Sequence, residues 1–154
     1  MIHIVEACIK DQDFLREVYI KSREEEVNGW GLEKDEGRKL LSGQANAQLA
    51  SYINQFPHAE YQVIYMESKA VGRIIMNQTD NEIRLVDLSI LPSFQRRGIG
   101  TTVISLLQKR AKALRVPLRL SVLITNPAQR LYKSFGFSRV GGNELYDYLE
   151  WEIF

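Results

Sequence analysis

Val86-Asp87-Leu88-Ser89-Ile90-Leu91-Pro92-Ser93-Phe94-Gln95-Arg96-Arg97-Gly98-Ile99-Gly100-Thr101 changes character halfway along its length. Its first half is an apolar strand pattern that stops at a proline. Its second half is a turn with two arginines and two glycines. From Ile99 onward, apolar residues (Ile99, Val103, Leu106, Leu107, Ala111, Leu114) recur at helical spacing. Glycine lets a backbone turn tightly and approach a ligand closely. A helix start leaves N–H groups without intrahelical partners, and its macrodipole adds partial positive charge. With Arg96 and Arg97 beside it, such a turn makes an anion site suited to a pyrophosphate. It is not a Walker loop, since no Gly-Lys-Ser/Thr ending follows. Nor is it the dinucleotide fingerprint, which needs a further glycine at its set spacing and a βαβ start. The plainer reading is that Gly98 and Gly100 only shape the turn. Against it stands the ordered sequence of strand, proline, Gln-Arg-Arg-Gly-x-Gly and amphipathic helix.

Working outward, Ile2 to Ile9 reads as a strand. Asp11 or Asp13 is placed to cap a helix through Phe14, Leu15, Val18, Tyr19 and Ser22, broken by Gly29-Trp30-Gly31. A second helix is expected over Glu36 to Ile53, with Leu40, Leu41, Ala47, Leu49 and Ala50 inward. Strands follow at Tyr61–Glu67, Ala70–Met76 and Glu82–Leu91. Beyond the helix from Ile99 comes a strand over Leu118–Ile124, then Asn126-Pro127, an N-cap followed by a first-turn proline. That short helix ends near Gly136. Two last strands are expected at Phe137–Val140 and Leu145–Ile153. The order β-α-α-β-β-β-α-β-α-β-β describes a mixed α/β (α+β) domain with a central sheet.

The 154 residues suit one domain, taken as residues 1–154. With 45% hydrophobic and 25% charged residues, the composition is that of a globular chain. A net charge of +1 gives no global field to hold nucleic acid or an anionic membrane. Cys8 is the only cysteine, so neither an intramolecular disulfide nor a Cys-rich zinc site is expected, and with only His3 and His58 a His-based metal site would need carboxylates to complete it. No metal is expected. The N-terminus lacks the pattern of a signal peptide, and no apolar run is long enough to span a bilayer, which leaves a cytoplasmic protein as the default expectation.

Gln95-Arg96-Arg97-Gly98-Ile99-Gly100 resembles the acetyl-CoA pyrophosphate motif, Q/R-x-x-G-x-G/A, of the GNAT superfamily of N-acetyltransferases. Asn126-Pro127-Ala128-Gln129-Arg130-Leu131-Tyr132-Lys133-Ser134-Phe135-Gly136-Phe137 is similar to that family's second signature. One helix and one strand separate the two motifs, as in the family, and the resemblance covers nearly the whole chain. It implies a sheet with a V-shaped splay between its fourth and fifth strands, and acetyl-CoA as co-substrate. Backbone groups of Leu88, Ser89, Ile90 and Leu91 would pair with the pantetheine arm. Gln95, Arg96, Arg97, Gly98, Ile99, Gly100 and Thr101 would hold the pyrophosphate, and Asn126 would lie beside the cofactor. Tyr132 matches the tyrosine that often protonates the departing CoA thiolate; a phenol is neutral at pH 7 and can give a proton to a sulfur anion as it forms. The chain departs from the common spacing in one respect. The family's asparagine lies three residues before the alanine, where this chain has Thr125, so capping is the alternative role for Asn126. Tyr132 has its own plain reading as a core aromatic.

The amine nucleophile must lose a proton. Asp87, a carboxylate in an apolar strand, is the candidate base; alternatively it is an ordinary satisfied acid. Strand alternation sets Asp87 and Ser89 on one face, Leu88 and Ile90 on the other. The N-terminal helices form the acceptor side in this superfamily. There, Glu25 and Glu26 with Trp30 could attract a cationic amine, although a charge run is more often a solvated helix end. Gln44, Gln48 and Tyr52 share one helical face, read first as solvent-facing and second as acceptor-binding. The leading reading is an enzyme, an N-acetyltransferase that moves an acetyl group from acetyl-CoA to a primary amine by direct attack in a ternary complex. The competing readings are a noncatalytic acyl-CoA-binding or regulatory module on the same fold and a nucleotide-binding protein. The acceptor's identity stays open, as does a homodimer.

Overall fold

The computed structural model describes residues 1–152; the expected end of the last strand, at Ile153, lies outside the described residues. Eleven elements follow in the order β1 (Ile2–Glu6), α1 (Gln12–Asn28), α2 (Lys34–Gln55), β2 (Glu60–Met66), β3 (Lys69–Gln78), β4 (Ile83–Ile90), α3 (Ile99–Leu114), β5 (Leu118–Leu123), α4 (Gln129–Ser134), β6 (Ser138–Gly142) and β7 (Tyr146–Trp151). The expected α/β order is therefore the observed one. The strands form a seven-stranded, mostly antiparallel sheet in the order β1-β2-β3-β4-β5-β7-β6, with a parallel pair at β4 and β5. That ladder registers Ile83, Arg84 and Leu85 with Leu118, Arg119 and Leu120, all near the start of the two strands. No helix among the described residues is long and apolar enough to cross a membrane.

The chain divides into two compact units. The first holds residues 1–75 and 87–99. β1 is shorter than expected, because the Cys8 N–H donates to the Asp11 carboxylate at 2.8 Å and closes a 3-10 turn over Ile9–Asp11. Asp11 thus caps this turn, and its side chain makes no cap bond to α1. Tyr19, Ile20 and Val27 of α1 pack on Leu41 and Ala45 of α2. Gly37 permits the close approach, since a Cβ there would lie 2.9 Å from Val27 Cγ1. The expected inward face of α2 needs correcting: Leu40, Ala47 and Ala50 are exposed, and the buried positions are Gly37, Leu41 and Ala45 at a strict four-residue step. With so few apolar residues along it, α2 is anchored by a narrow stripe.

The second unit holds residues 76–86 and those from Gly100 onward. Val103, Ile104, Leu107 and Ala111 form the buried stripe of α3, whereas Leu106 and Leu114 are exposed. The sequence offered more apolar residues than one helical face can bury. β6 is irregular between Arg139 and Gly141, where the register with β7 shifts. Across β4, β5 and β7 runs an ion-pair ladder. Glu82 accepts from Arg84 Nε at 2.8 Å and from Arg119 Nη1 at 3.2 Å, and Arg119 Nε reaches Glu150 at 2.8 Å. Burial pushes the Glu82 carboxyl up, but the hydrogen bonds and charges of Arg84 and Arg119 outweigh it and leave the group below its ordinary value.

A carboxyl with a depressed folded-state pKa adds stability above the ordinary glutamate range and loses it as pH falls through the folded value. Glu82→Gln should lower stability at pH 7 by about 1 kcal/mol. The gap to the unsubstituted protein should close on acidification below about pH 4. Thermal melts across pH 3–7 check this, and a gap that stays constant would dissociate it from the Glu82 charge.

Candidate functional site

β4 starts in the second unit and ends in the first, becoming accessible as it leaves its buried start. Ile83 and Leu85 are buried, while residues 87–90 are all half-buried. Gly72 lets β3 and β4 approach, since a Cβ there would stand 2.6 Å from the Ser89 carbonyl oxygen. Pairing continues to Leu91, whose N–H donates to Val71 O at 2.8 Å. Pro92–Phe94 then forms a 3-10 turn, and Gln95 folds back to donate from Nε2 to Ile90 O at 3.1 Å. Arg96 has φ +64° and Gly98 φ +79°. For Gly98 the left-handed conformation is free of Cβ strain; for Arg96 it costs of order 1–3 kcal/mol and is the kind of outlier that collects at ligand sites. Residues 95–98 are exposed and Ile99, opening α3, is buried. The space a Cβ would occupy at Gly98 is open. An exposed, glycine-shaped backbone here enters a 16-residue helix, and helix starts of this kind favour anions.

On the same strand, Asp87 is already committed on one side. Its Oδ2 accepts from Arg73 Nε at 2.7 Å and from Ser89 Oγ at 3.0 Å. Arg73, in β3, is completely buried. It also donates from Nη1 to the Leu15 carbonyl of α1 at 2.9 Å and from Nη2 to Gln48 Oε1 of α2 at 2.6 Å. Gln44 accepts from the Tyr19 hydroxyl at 3.4 Å. The glutamine face of α2, read first as solvent-facing, therefore turns toward Tyr19 and Arg73. Burial pushes the Tyr61 phenol up, with Arg73 partly opposing it, and its hydroxyl is buried without a hydrogen-bond partner among the described residues. Arg73 is the residue that sequence reasoning missed. Its signal was one arginine inside the apolar run Val71-Gly72-Arg73-Ile74-Ile75-Met76.

A cavity of about 510 Å³ lies in this unit between α1 and the segment after β4. Lys21, Ser22, Glu24, Glu25 and Asn28 line one wall; Lys69 and Leu91 to Phe94 line the other. Its volume falls in the range of small-molecule sites. Glu24 is partly engaged by Arg38 at 3.3 Å. Of the expected acceptor residues, Glu25 lines the cavity, while Glu26 and Trp30 are exposed and outside its lining.

In the second unit, Tyr132 of α4 is only 8% exposed, its ring packed edge-on to Phe137 with centroids 5.6 Å apart. The Asn126 side-chain oxygen accepts from the Ala128 N–H at 2.9 Å in the turn before α4, whose N-cap is Ala128 and carries no side-chain cap bond.

A family model described as an acetyltransferase (GNAT) domain matches residues 18–149. Among solved structures, PaiA N-acetyltransferase from Thermoplasma acidophilum, in complex with coenzyme A, superposes with a TM-score of 0.75 at 19% identity, covering 99% of each chain. An acetyltransferase from Thermus thermophilus gives 0.70 at 16%, covering 99% of this chain and 97% of that one. Ard1 from Thermoplasma volcanium gives 0.69 at 16%, covering 99% and 98%. At these identities the likeness is one of fold. No curated protein matches the sequence.

Removing one member of a buried ion pair leaves the other charge uncompensated, whereas replacing both with apolar residues often restores stability. Arg73→Met should therefore cost about 3 kcal/mol in urea unfolding, and Arg73→Met/Asp87→Leu should recover much of it. A double variant no more stable than the single one would place the loss in the Leu15 and Gln48 bonds instead.

Proposed function

The chain belongs to the GNAT acetyltransferase family, and from that premise we propose that it is an acetyl-CoA-dependent N-acetyltransferase acting on a primary amine. The observation that carries this is the exposed turn with Arg96 and Gly98 in left-handed conformation, opening α3. The positive dipole end of α3 suits a diphosphate, and the open space at Gly98 lets one approach the backbone. In this reading Gln95, Arg96, Arg97, Gly98, Ile99, Gly100 and Thr101 hold the pyrophosphate. The half-buried edge Leu88, Ser89, Ile90 and Leu91 offers main-chain groups to the pantetheine arm. Asn126, its side-chain oxygen held by the Ala128 N–H, lies beside the cofactor in this reading.

The donor supplies an activated thioester; the protein's residues orient the partners and move protons. The amine nitrogen attacks the thioester carbonyl carbon, a C–N bond forms and the C–S bond breaks. Tyr132 gives its hydroxyl proton to the departing sulfur and regains one from solvent. The amine, bound as an ammonium, gives one proton to Asp87 before it attacks, so that its nitrogen has a lone pair, and the second proton, lost as the amide forms, goes to solvent. Asp87 Oδ2 is held by Arg73 and Ser89, and Oδ1 is the oxygen left for this role. Glu25, with Glu26, Trp30, Gln44 and Gln48, forms the proposed acceptor side, and the Glu25 carboxylate in the cavity wall favours a cationic amine.

Two measurements test the reading. Calorimetry should detect coenzyme A binding, weakened at least tenfold by Gly98→Asp, which adds strain, bulk and negative charge beside the phosphates. A screen of amines with acetyl-CoA, followed by thiol release, identifies the acceptor. With it, Tyr132→Phe should lower the single-turnover rate about a hundredfold while leaving acetyl-CoA affinity unchanged. A folded protein that binds no coenzyme A overturns the reading. Wild-type turnover in the Phe variant reassigns Tyr132 to packing.

A further inference from the structure

The turn between β2 and β3 brings a cation to the anion loop from outside the motif. Lys69 begins β3, and the pairing of β3 with β4 runs out to the Leu91–Val71 bond. Backbone register thus sets Lys69 two residues beyond that bond, beside the Pro92–Phe94 turn. Its Nζ sits 5.0 Å from the centroid of the Phe94 ring. The Arg97 guanidinium stands over the same ring at 5.2 Å.

Two cations gathered on one aromatic ring repel each other, and the ring's quadrupole only partly compensates. Among the described residues neither Lys69 nor Arg97 has an ion-pair partner. The nearest acid on the same turn, Glu67, is taken by the N-terminal ammonium. Phe94 therefore acts as a post that holds two long, otherwise mobile cationic side chains in place. The contacts bias both side chains toward the turn, which lowers part of the rotamer entropy that anion binding would remove. An incoming anion would also relieve the repulsion.

We propose that Lys69, ordered with Arg97 on Phe94, is a binding residue for a phosphate group of coenzyme A. The inference rests on the cofactor reading above and adds to it a residue that no part of the glycine motif contains. Coenzyme A offers two sources of that chemistry, the pyrophosphate bridge and the 3′-phosphate.

The test is calorimetric titration of the full chain and of Lys69→Gln with coenzyme A, 3′-dephospho-coenzyme A and pantetheine. Lys69 is exposed, so the variant should fold, which a thermal melt verifies. Coenzyme A affinity should fall about fivefold, as expected for one partly exposed charge contact, and Lys69→Arg should restore it. An equal loss for 3′-dephospho-coenzyme A assigns Lys69 to the pyrophosphate; a loss confined to coenzyme A assigns it to the 3′-phosphate. Unchanged affinity for both phosphorylated ligands, or a matching loss for pantetheine, overturns the proposal. If the unsubstituted protein binds none of the three, the cofactor reading itself fails, and this inference with it.

Discussion

A guanidinium with no contact to water must find an acceptor for its N–H groups inside the protein, and Arg73 finds three on three different elements. Each one constrains something beyond itself. The bond to Leu15 O fixes where α1 crosses the sheet face. The bond to Gln48 makes an amide on α2 face inward, and this anchors a helix whose apolar stripe is too thin to do so alone. The ion pair with Asp87 sets the direction of a carboxylate in β4. A purely apolar pairing at Arg73 and Asp87 would often be at least as stable. The polar arrangement therefore gives directional placement rather than simple cohesion, and it acts on the strand that leads into the turn at Arg96 and Gly98.

The same strand transmits order to that loop. Gly72 lets β3 close on Ser89, the Leu91–Val71 bond carries the pairing to the strand's end, and Gln95 returns to Ile90. By the time the chain reaches Arg96, the segment before it is pinned. A non-glycine residue can then be held left-handed, because the surrounding bonds over-determine its conformation.

Local signals carried most of the architecture. Proline, glycine and asparagine punctuation located the loop and the entry to α4, and the change from strand to helical period located α3. The excess of apolar residues at Leu40, Leu106 and Leu114 could not be resolved that way, because which face a helix buries depends on its neighbours rather than its own period. The inward turn of Gln48 was hidden for a related reason. A polar stripe reads as solvated until a buried cation on another element requires it. Arg73 itself stood in plain view as one charge in an apolar strand, but its partners lie 14 to 58 residues away in the chain, beyond any local pattern. Lys69 and Phe94 carry no motif at all; only register brings them together.

Charge is distributed within the first unit in a way that the net value of +1 conceals. Lys69, Arg96 and Arg97 gather around the turn after β4, and the α1 wall of the cavity carries Glu24 and Glu25. Arg38 draws on Glu24, which leaves Glu25 as the acid without an ion-pair partner there, among the described residues. At physiological ionic strength charges are screened beyond about 8 Å. Such a division suits the proposed reaction. A polyanionic donor is favoured at the basic turn and a cationic acceptor at the acidic wall, so the two need not compete for one field. Lys21, on the acidic wall, moderates that side and disfavours an acceptor of high positive charge. On the proposed reading, an amine that brings one cationic centre to Glu25 would suit this wall better than one that brings several.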